Sequence, residues 1–381
     1  MMARSISIDG SLASHRYKGT GVHRYLVNLL AEIELATRGA NQVRVKVLVP
    51  SVADANPALP AQRPGFEFVS FPAMRIRPLW KLGQLFAVTA RRLRADVAFL
   101  PFPAPVYLKT TRLAVTIHDL IPLLFSDQYG SPSGLFLQHC FRTSLARADL
   151  ILTDSQHSKV DMVTRFGVSS DRVVVAYNGF DSQTFNAGAA SPTERDELLG
   201  RYGIRRPYTL HVGRLEPRKN LARLVEACRL LNDRGLDFQL VLCGPQGPGS
   251  ENLLAMIRRP EFEGRVICTG AVPDQDLAVL YQEASCCAMP SLYEGFGLPV
   301  LEAMASGCPV VSSNRSSLPE ITGEAALYFN PESVEEMSTV LEILLTDSAV
   351  RENLVTRGLE RARQFSWEKC ARTTLAALEA L

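Results

Sequence analysis

The chain lacks the features that mark membrane-spanning, secreted and disulfide-bonded proteins. Its 381 residues hold no uninterrupted apolar run near the roughly 18 residues that would suggest a membrane-spanning helix. None of the eight cysteines forms a Cys-x-x-Cys pair, and the adjacent Cys286 and Cys287 are typical of small core residues in a reducing compartment. The N-terminus has no basic segment followed by a long apolar one, as a secretion signal would. We therefore expect a cytoplasmic protein.

The chain also has no strong excess of charge of either sign. Its formal net charge is +2, from 41 basic and 39 acidic residues, so the basic field of a nucleic-acid-binding protein is missing and no nucleic-acid partner is expected. With 46% hydrophobic and 21% charged residues, the composition is typical of a globular protein. A chain of 381 residues exceeds the usual size of one α/β core, which favours two domains.

Short segments rich in β-branched residues alternate with helical patterns along the chain. This alternation predicts parallel, doubly wound sheets, whose ligands bind beyond the carboxyl ends of the strands. The pattern is interrupted by the polar stretch 181–192 and then restarts, which predicts a linker between two such domains. The predicted strands are residues 5–8, 43–49, 66–71, 97–100, 113–117, 150–153 and 173–176, and then 208–212, 238–242, 265–268, 285–289 and 309–312.

Two glutamates flank a Gly-Phe-Gly loop in the sequence SLYEGFGLPVLEAMASG. Pro299 suits the first position of a helix, which predicts Glu294 in the preceding loop and Glu302 in the first helical turn. Gly295 and Gly297 let the backbone approach a ligand and offer amide donors at a helix N-terminus. A glutamate in a first turn is also favoured by the helix dipole alone, so a structural role for Glu302 stays open.

Three cations precede another predicted helix, in the sequence GRLEPRKN after the strand at 208–212. Arg214, Arg218 and Lys219 lie just before Asn220, which is predicted to be the N-cap of that helix. Cations at a helix N-terminus oppose its dipole unless an anion is bound there. The segment therefore predicts a diphosphate site, with solvated surface charge as the alternative.

Two further loops follow predicted strands of the first half. His118 and Asp119 follow the strand at 113–117; a single histidine is most often structural, and Asp119 either orients it or caps the next turn. The sequence Gly19-Thr20-Gly21 opens the helix predicted at 22–34, but Arg24 stands where a dinucleotide fingerprint would need its third glycine. Alone, this loop is equally consistent with an ordinary turn.

Asp274 and Asp276 spell Asp-x-Asp, a pattern that binds a metal ion in some enzymes. Here the pair follows Pro273 at the start of a predicted helix. We interpret Asp274 as an N-cap and Asp276 as a first-turn carboxylate that complements the helix dipole. No other cluster has metal-ligand spacing, so no metal is predicted.

Taken in order, these motifs and the segment 312–320 resemble the retaining nucleotide-sugar glycosyltransferases of family 4, which have the GT-B fold. The amino-acid sequence of these motifs is most similar to that of the bacterial O-antigen and polysaccharide mannosyltransferases. The resemblance implies two Rossmann-like doubly wound domains that face each other across a cleft. It divides the chain into an acceptor-side domain at 1–185, a donor-binding domain at 186–366, and a C-terminal helix at 367–381 that packs back on the first domain.

The resemblance also implies roles for individual residues. Arg214 and Lys219 would hold the donor diphosphate, Glu294 would grip sugar hydroxyls near C3, and Glu302 would hold the ribose. His118 would contact the donor sugar and the reaction centre. The catalytic set is then His118, Arg214, Lys219 and Glu294, the donor-binding set is Gly21, Phe296, Gly297, Leu298 and Glu302, and Gly270 and Val272 would lie against the nucleotide base.

The implied activity is metal-independent transfer of a hexosyl group, with retention, to a hydroxyl of a glycan or lipid-linked glycan in cell-surface polysaccharide synthesis. A mannosyl group from GDP-mannose is favoured, and no cofactor is implied. A catalytically silent sugar-nucleotide-binding or assembly protein, or an epimerase of the same fold, stays open. The basic segment 75–94 is either an ordinary amphipathic helix or a peripheral contact with the inner face of the membrane.

Overall fold

A computed structural model describes residues 4–13, 20–39, 43–49, 59–70, 84–107, 111–188 and 191–381. The chain divides into two units, Met1–Gly179 with Ser366–Leu381, and Phe180–Phe365. Each unit contains a parallel sheet with helices, which confirms the predicted α/β class. The sequence placed the divisions after residues 185 and 366; the structure places them after Gly179 and Phe365.

The first unit is built on a seven-stranded parallel sheet. Its strands are β1 (Arg4–Asp9), β2 (Val43–Val49), β3 (Phe66–Ser70), β4 (Val97–Leu100), β5 (Arg112–Thr116), β6 (Leu150–Thr153) and β7 (Val173–Val175). They lie in the order β3-β2-β1-β4-β5-β6-β7, so the winding reverses between β1 and β4. Its helices of four or more residues are α1 (Gly21–Ala36), α2 (Gln84–Arg92), α3 (Ile121–Leu124), α4 (Pro132–Arg147), α5 (Gln156–Phe166) and the last helix, α14 (Trp367–Ala380).

The last helix belongs to the core of the first unit. Helix α1 carries apolar residues at helical spacing, and its buried face includes Tyr25 and Leu29. Helix α14 packs against α1 and places Trp367 and Leu378 in the same core, together with Ile6 of β1. Residues that follow the second unit in sequence are therefore part of the interior of the first.

The second unit repeats the design with six parallel strands. They are β8 (Tyr208–Val212), β9 (Gln239–Cys243), β10 (Val266–Gly270), β11 (Cys286–Met289), β12 (Val310–Ser313) and β13 (Ala326–Phe329). The order β10-β9-β8-β11-β12-β13 reverses between β8 and β11. The helices are α6 (Pro192–Arg201), α7 (Leu221–Asp233), α8 (Glu251–Ile257), α9 (Asp274–Glu283), α10 (Leu298–Ala305), α11 (Leu318–Thr322), α12 (Val334–Thr346) and α13 (Ser348–Ala362).

Strand β13 is absent from the strands predicted from sequence. Its four residues, Ala326–Phe329, include no β-branched side chain, and such side chains are the main local signal for a strand. It forms by pairing with β12.

Two sets of residues discussed from sequence, residue 19 and residues 75–83 of the basic segment, lie outside the described part of the chain. The rest of the basic segment includes α2. No helix in the described ranges is both long and apolar enough to cross a membrane.

Candidate functional site

The point where the winding of the second sheet reverses brings two loops together. Strands β8 and β11 are parallel neighbours, so the loops that leave their carboxyl ends start side by side. Residues 213–220 follow β8, and residues 290–297 follow β11. The crevice at such a reversal is the usual ligand site of an open parallel sheet. The cation motif and the glutamate motif of the second half therefore lie together at the carboxyl ends of β8 and β11.

Glu294 is held there between two cations. Its Oε1 lies 2.6 Å from Lys219 Nζ, and its Oε2 lies 3.2 Å from a terminal nitrogen of Arg218. The three residues are each 7% exposed. Burial opposes ionisation of the carboxyl, but the charges of Lys219 and Arg218 outweigh it and lower the pKa of Glu294 to about 2. Glu294 is thus an ionised group that accepts hydrogen bonds at neutral pH.

The cations are positioned by the turn before helix α7. Pro217–Lys219 forms a 3-10 turn, and Asn220 follows in the left-handed region at φ 58°. Asn220 occupies the predicted N-cap position of α7, but its side chain makes no capping hydrogen bond. A cap needs the side-chain oxygen as acceptor, but here that oxygen accepts from Arg223 at 2.8 Å, and Nδ2 donates to the carbonyls of Pro290 (3.1 Å) and Pro331 (2.6 Å). Asn220 therefore ties its turn to the loop after β11.

Glycines let the loops after β8 and β9 approach closely. A Cβ on Gly244 would lie 2.1 Å from the carbonyl oxygen of Gly213, and a Cβ on Gly247 would lie 2.7 Å from Arg214 Cγ. Both separations are too short for any side chain. The stem of Arg214 therefore lies along Gly247, and the side chain is exposed. Arg218, one of the three cations of the predicted diphosphate site, is the arginine beside Glu294.

The loop that carries Glu294 is fixed by two serines. The Glu294 N–H donates to Ser316 Oγ at 2.8 Å. The Ser317 hydroxyl lies 3.0 Å from the carbonyl oxygen of Glu294 and 2.9 Å from that of Phe296. The Phe296 ring is 5% exposed and packs edge-on against Phe365 at 6.0 Å. The predicted donor loop is thus held by hydrogen bonds and packing within this unit.

Helix α10 begins one residue earlier than predicted. Gly297, at φ 108°, occupies the N-cap, and a Cβ there would approach Leu318 to 3.0 Å. Leu298 is then the first helical residue and Pro299 the second. The expectation that Glu302 lies in the first turn is wrong, because the added residue moves it into the second. Glu302 is 3% exposed.

His211 lies beside this cluster and was left without a role by sequence. It is fully buried in β8, and its Nδ1 lies 2.9 Å from the Ala288 carbonyl oxygen. Burial lowers the pKa of His211 to about 4, with a smaller contribution in the same direction from Lys219. The ring is therefore neutral at pH 7, with its proton on Nδ1. Its Nε2 has no hydrogen-bond partner within the described ranges.

The residues assigned to the nucleotide base lie at the end of β10. Gly270 closes the strand at φ 70°, and its carbonyl oxygen accepts from Gly244 N at 2.9 Å. Val272 follows in the loop before α9 and is partly exposed. Because β9 lies between β10 and β8, this loop belongs to the same edge of the sheet as Lys219.

Asp274 and Asp276 lie at the start of helix α9. Pro273 occupies the N-cap position, and Asp274 is the first residue of the helix. The predicted N-cap role of Asp274 is therefore wrong. Asp276 accepts a hydrogen bond from the Tyr202 hydroxyl at 2.7 Å and pairs with Arg201 at 3.3 Å. Among the described residues, no group of three or more His, Cys, Asp or Glu side chains is arranged to hold a metal ion.

In the first unit, His118 follows β5 and contacts a carboxylate that sequence did not identify. Its Nδ1 lies 2.8 Å from Oδ2 of Asp154, which follows β6. Burial opposes protonation of His118, but the Asp154 charge outweighs it and raises the pKa, and Asp119 and the Pro101 carbonyl act in the same direction. Of the two roles open for Asp119, the structure shows the cap, because its Oδ1 accepts from Ile121 N at 2.8 Å.

Gly21 is the first residue of helix α1. Thr20 is the N-cap, and its hydroxyl oxygen accepts from His23 N at 3.2 Å. A Cβ on Gly21 would meet no heavy atom within 4 Å in the part of the chain that the structure describes. The assignment of Gly21 to donor binding stays a prediction.

Comparison with known proteins agrees with the fold. The family model for glycosyl transferases group 1 matches residues 195–361, and that for Glycosyltransferase Family 4 matches residues 19–184. O-antigen chain mannosyltransferase B of Escherichia coli is 36% identical over 71% of this chain and 71% of its own length. The serotype-specific mannosyltransferase WbdA of Escherichia coli is 34% identical over 67% of this chain, which spans only 32% of that longer protein.

Solved structures show the same architecture. A sucrose-phosphate synthase from Thermosynechococcus elongatus superposes with a TM-score of 0.73 at 21% identity, over 99% of this chain and 98% of that one. Anabaena HepE, solved in complex with UDP and glucose, gives 0.71 at 18% identity over 99% and 100% of the two chains. The fold is that of a GT-B glycosyltransferase. The chain belongs to glycosyltransferase family 4, and the resemblance inferred from its motifs is confirmed.

Proposed function

We propose that the chain transfers a mannosyl group from GDP-mannose to a hydroxyl of a glycan or lipid-linked glycan, with retention of the anomeric configuration. The observation that carries the proposal is Glu294, buried and ionised between Lys219 and Arg218 where the second sheet reverses. A fixed carboxylate beside fixed cations suits a ligand that combines sugar hydroxyls with a diphosphate. The mannosyl group and the polysaccharide acceptor rest on similarity to the O-antigen mannosyltransferase.

Glu294 recognises the sugar as an acceptor of hydrogen bonds. With a pKa of about 2 it carries no proton at neutral pH, so it binds hydroxyl donors and cannot serve as a general acid. The two glutamates therefore differ from the acid and nucleophile pair of a glycosidase, in which one carboxyl must be protonated. The backbone N–H groups of residues 296–298 add contacts to the sugar, and Glu302 holds the ribose.

Lys219 connects the sugar to the leaving group. An ammonium has three donors, and one of them points to Glu294 at 2.6 Å, so the same residue can also bind diphosphate oxygens. As the glycosidic bond breaks, negative charge grows on the diphosphate. Fixed donors aimed at a developing charge are the largest single source of rate enhancement in many enzymes. Lys219, Arg214 and helix N-termini supply them here, without a metal ion or a cofactor.

His118 in the first unit is assigned to hydrogen bonding with the donor sugar near the reaction centre. This is a positioning and charge-stabilising role, distinct from a simple general base.

A direct screen tests the whole proposal. The full chain is incubated with GDP-, UDP- and ADP-linked hexoses, and binding and slow donor hydrolysis are measured.

We expect GDP-mannose to bind most tightly and to be hydrolysed, and an acceptor mixture to give a product with the anomeric configuration of the donor. Binding without hydrolysis or transfer would instead identify a silent sugar-nucleotide-binding protein. Release of an epimerised nucleotide sugar would identify an epimerase of the same fold. Inversion at the anomeric carbon would overturn the retaining mechanism.

A further inference from the structure

Two polar side chains lie at the same level just beyond the ends of neighbouring strands of the first sheet. Thr116 of β5 pairs with Leu152 of β6, and His118 and Asp154 each lie two residues further along. Their loops leave the same edge of the sheet, which brings His118 Nδ1 to 2.8 Å from Asp154 Oδ2. The Ser158 hydroxyl lies 3.5 Å from the His118 carbonyl oxygen, a second and weaker tie between the two loops.

Asp154 lies at the N-terminal end of a helix. It is 4% exposed and directly precedes Ser155, the N-cap of the eleven-residue helix α5. The N-terminus of a helix favours negative charge. A carboxylate accepts hydrogen bonds and donates none. In the neutral ring of His118, the proton therefore lies on Nδ1.

The His118 ring is also held by an aromatic neighbour. Tyr25 of α1 meets it edge to face, with ring centroids 4.6 Å apart and planes at 81°. The Tyr25 hydroxyl is itself fixed, 3.1 Å from Thr116 Oγ1. With Nδ1 held by Asp154, the remaining polar atom of the ring is Nε2. This atom is buried and makes no hydrogen bond to any residue that the structure describes.

The neighbouring carboxylate, Asp119, makes a different contact. Asp119 is next to His118 in sequence, but its Oδ1 accepts the Ile121 N–H at 2.8 Å and so caps the start of α3. The charge of Asp119 raises the pKa of His118 in the same direction as that of Asp154. The two aspartates thus separate by geometry into one that contacts the imidazole and one that contacts the backbone.

We propose that Asp154 is the positioning residue of His118: it holds the proton on Nδ1, fixes the plane of the ring and leaves Nε2 as the atom offered to substrate. The inference rests on the proposed sugar-transfer role of His118. A neutral ring would accept a hydrogen bond from a sugar hydroxyl through Nε2. A protonated ring would donate one from the same atom.

The first test needs no substrate. The full chain is labelled with 15N-histidine, and long-range 1H–15N spectra report which ring nitrogen carries the proton; His118→Gln identifies the signal among the six histidines. We expect the Nδ1–H tautomer for neutral His118. A predominant Nε2–H tautomer would overturn the proposal.

Asp154→Asn is the second test, with Asp119→Asn as the matched change of charge. The titratable groups that face the ring are Asp154 after β6, Asp119 in its own loop and Tyr25 on α1, with Cys370 of α14 beside Asp154 and Tyr25. Because an asparagine can either donate or accept, Asp154→Asn should mix the tautomers and lower the pKa of His118. Asp119→Asn should lower this pKa less and keep the Nδ1–H tautomer. An unchanged tautomer and pKa in Asp154→Asn would contradict the positioning role.

The third measurement links the contact to turnover. Loss of a group that orients a metal-bound histidine typically costs about 10- to 100-fold. By analogy we expect kcat of Asp154→Asn to fall by about this factor while the KM for the donor changes little. A normal kcat with mixed tautomers would show that the contact has no catalytic use and would overturn the proposal. Absence of transfer by the wild-type chain would instead overturn the proposed function, and the tautomer measurement would still decide whether Asp154 orients His118.

Discussion

Lys219 Nζ lies 2.6 Å from Glu294 Oε1, and the two residues come from loops separated by three intervening strands in sequence. The loops meet because β8 and β11 are neighbours at the reversal of the sheet. Breaking a buried ion pair by removing one partner typically costs about 3–5 kcal/mol, since a charge stays buried. Here Arg218 remains beside Glu294, so the cost to folding should be smaller and functional losses can be measured.

Replacement of Lys219 by alanine should lower turnover. The ammonium is proposed to act on charge that grows in the transition state, and loss of one preorganised donor of this kind costs roughly 10²–10³ in kcat, about 3–4 kcal/mol. Lys219→Arg should not restore the rate, because a planar fork and a point charge differ in geometry. Steady-state kinetics with GDP-mannose measure the effect, and Lys369→Ala, at an exposed helical position, is the control. A higher KM with unchanged kcat would make Lys219 a ground-state anchor.

The two glutamates should differ in what they bind. Glu294→Gln should damage turnover with a modest effect on binding of free GDP, because its carboxylate is assigned to the sugar. Glu302→Gln should weaken GDP binding directly, because it is assigned to the ribose. Titration calorimetry with GDP and kinetics with the donor separate the two effects. Equal losses of GDP affinity in both variants would count against the assignment.

Transfer should survive a chelator. The proposed diphosphate site uses Arg214, Lys219 and helix N-termini, and Asp276 is engaged by Tyr202 and Arg201. Activity measured in excess EDTA should equal activity measured with added Mg²⁺ or Mn²⁺. Loss of transfer in EDTA, restored by either ion, would show that a metal neutralises the leaving group.

Acid should weaken the second unit through His211. The pKa of its buried ring is about 4, against 6.5 for a free histidine, so the unfolded chain binds the proton more readily. The free energy of unfolding should therefore fall as the pH drops from about 6.5 to about 4, by up to roughly 1.4 kcal/mol per pH unit, and this contribution should level off below. Glu294, with its pKa lowered from 4.5 to about 2, adds a second loss at lower pH.

Hydrogen exchange of peptides from β8 and β11, corrected for the intrinsic effect of pH, measures this dependence. His211→Gln keeps a donor for the Ala288 carbonyl but has no group that titrates. In this variant the decline between pH 6.5 and 4 should be smaller. An identical decline in both proteins would mean that another group controls the acid sensitivity.

Sequence predicted most strands and the main motifs, because both depend on local patterns. Lys219 and Glu294 were found as members of such motifs. Asp154 and His211 were not assigned roles, and the contact of Arg218 with Glu294 was not predicted. These contacts depend on which strands become neighbours, and no local pattern states that β11 pairs with β8 or β6 with β5.

Helix starts were the least predictable local feature. Asn220 has the side chain of an N-cap, but its left-handed backbone and the carbonyls of the next loop turn its amide elsewhere. Helix α10 gains a residue because Gly297 can adopt φ 108° and serve as the N-cap. Tertiary contacts and backbone freedom thus decided boundaries that residue type alone had placed differently.

Helix α14 makes the first unit the last to be completed during translation. The ribosome adds residues from the N-terminus at about 5–20 per second, and every residue of the second unit, Phe180–Phe365, is made before Trp367 exists. The apolar surface of α1 that α14 covers therefore stays exposed in the nascent chain for roughly 10 to 40 s at that rate. The order of completion is the reverse of the order of synthesis, so the growing chain presents to cotranslational chaperones a surface that the finished protein conceals.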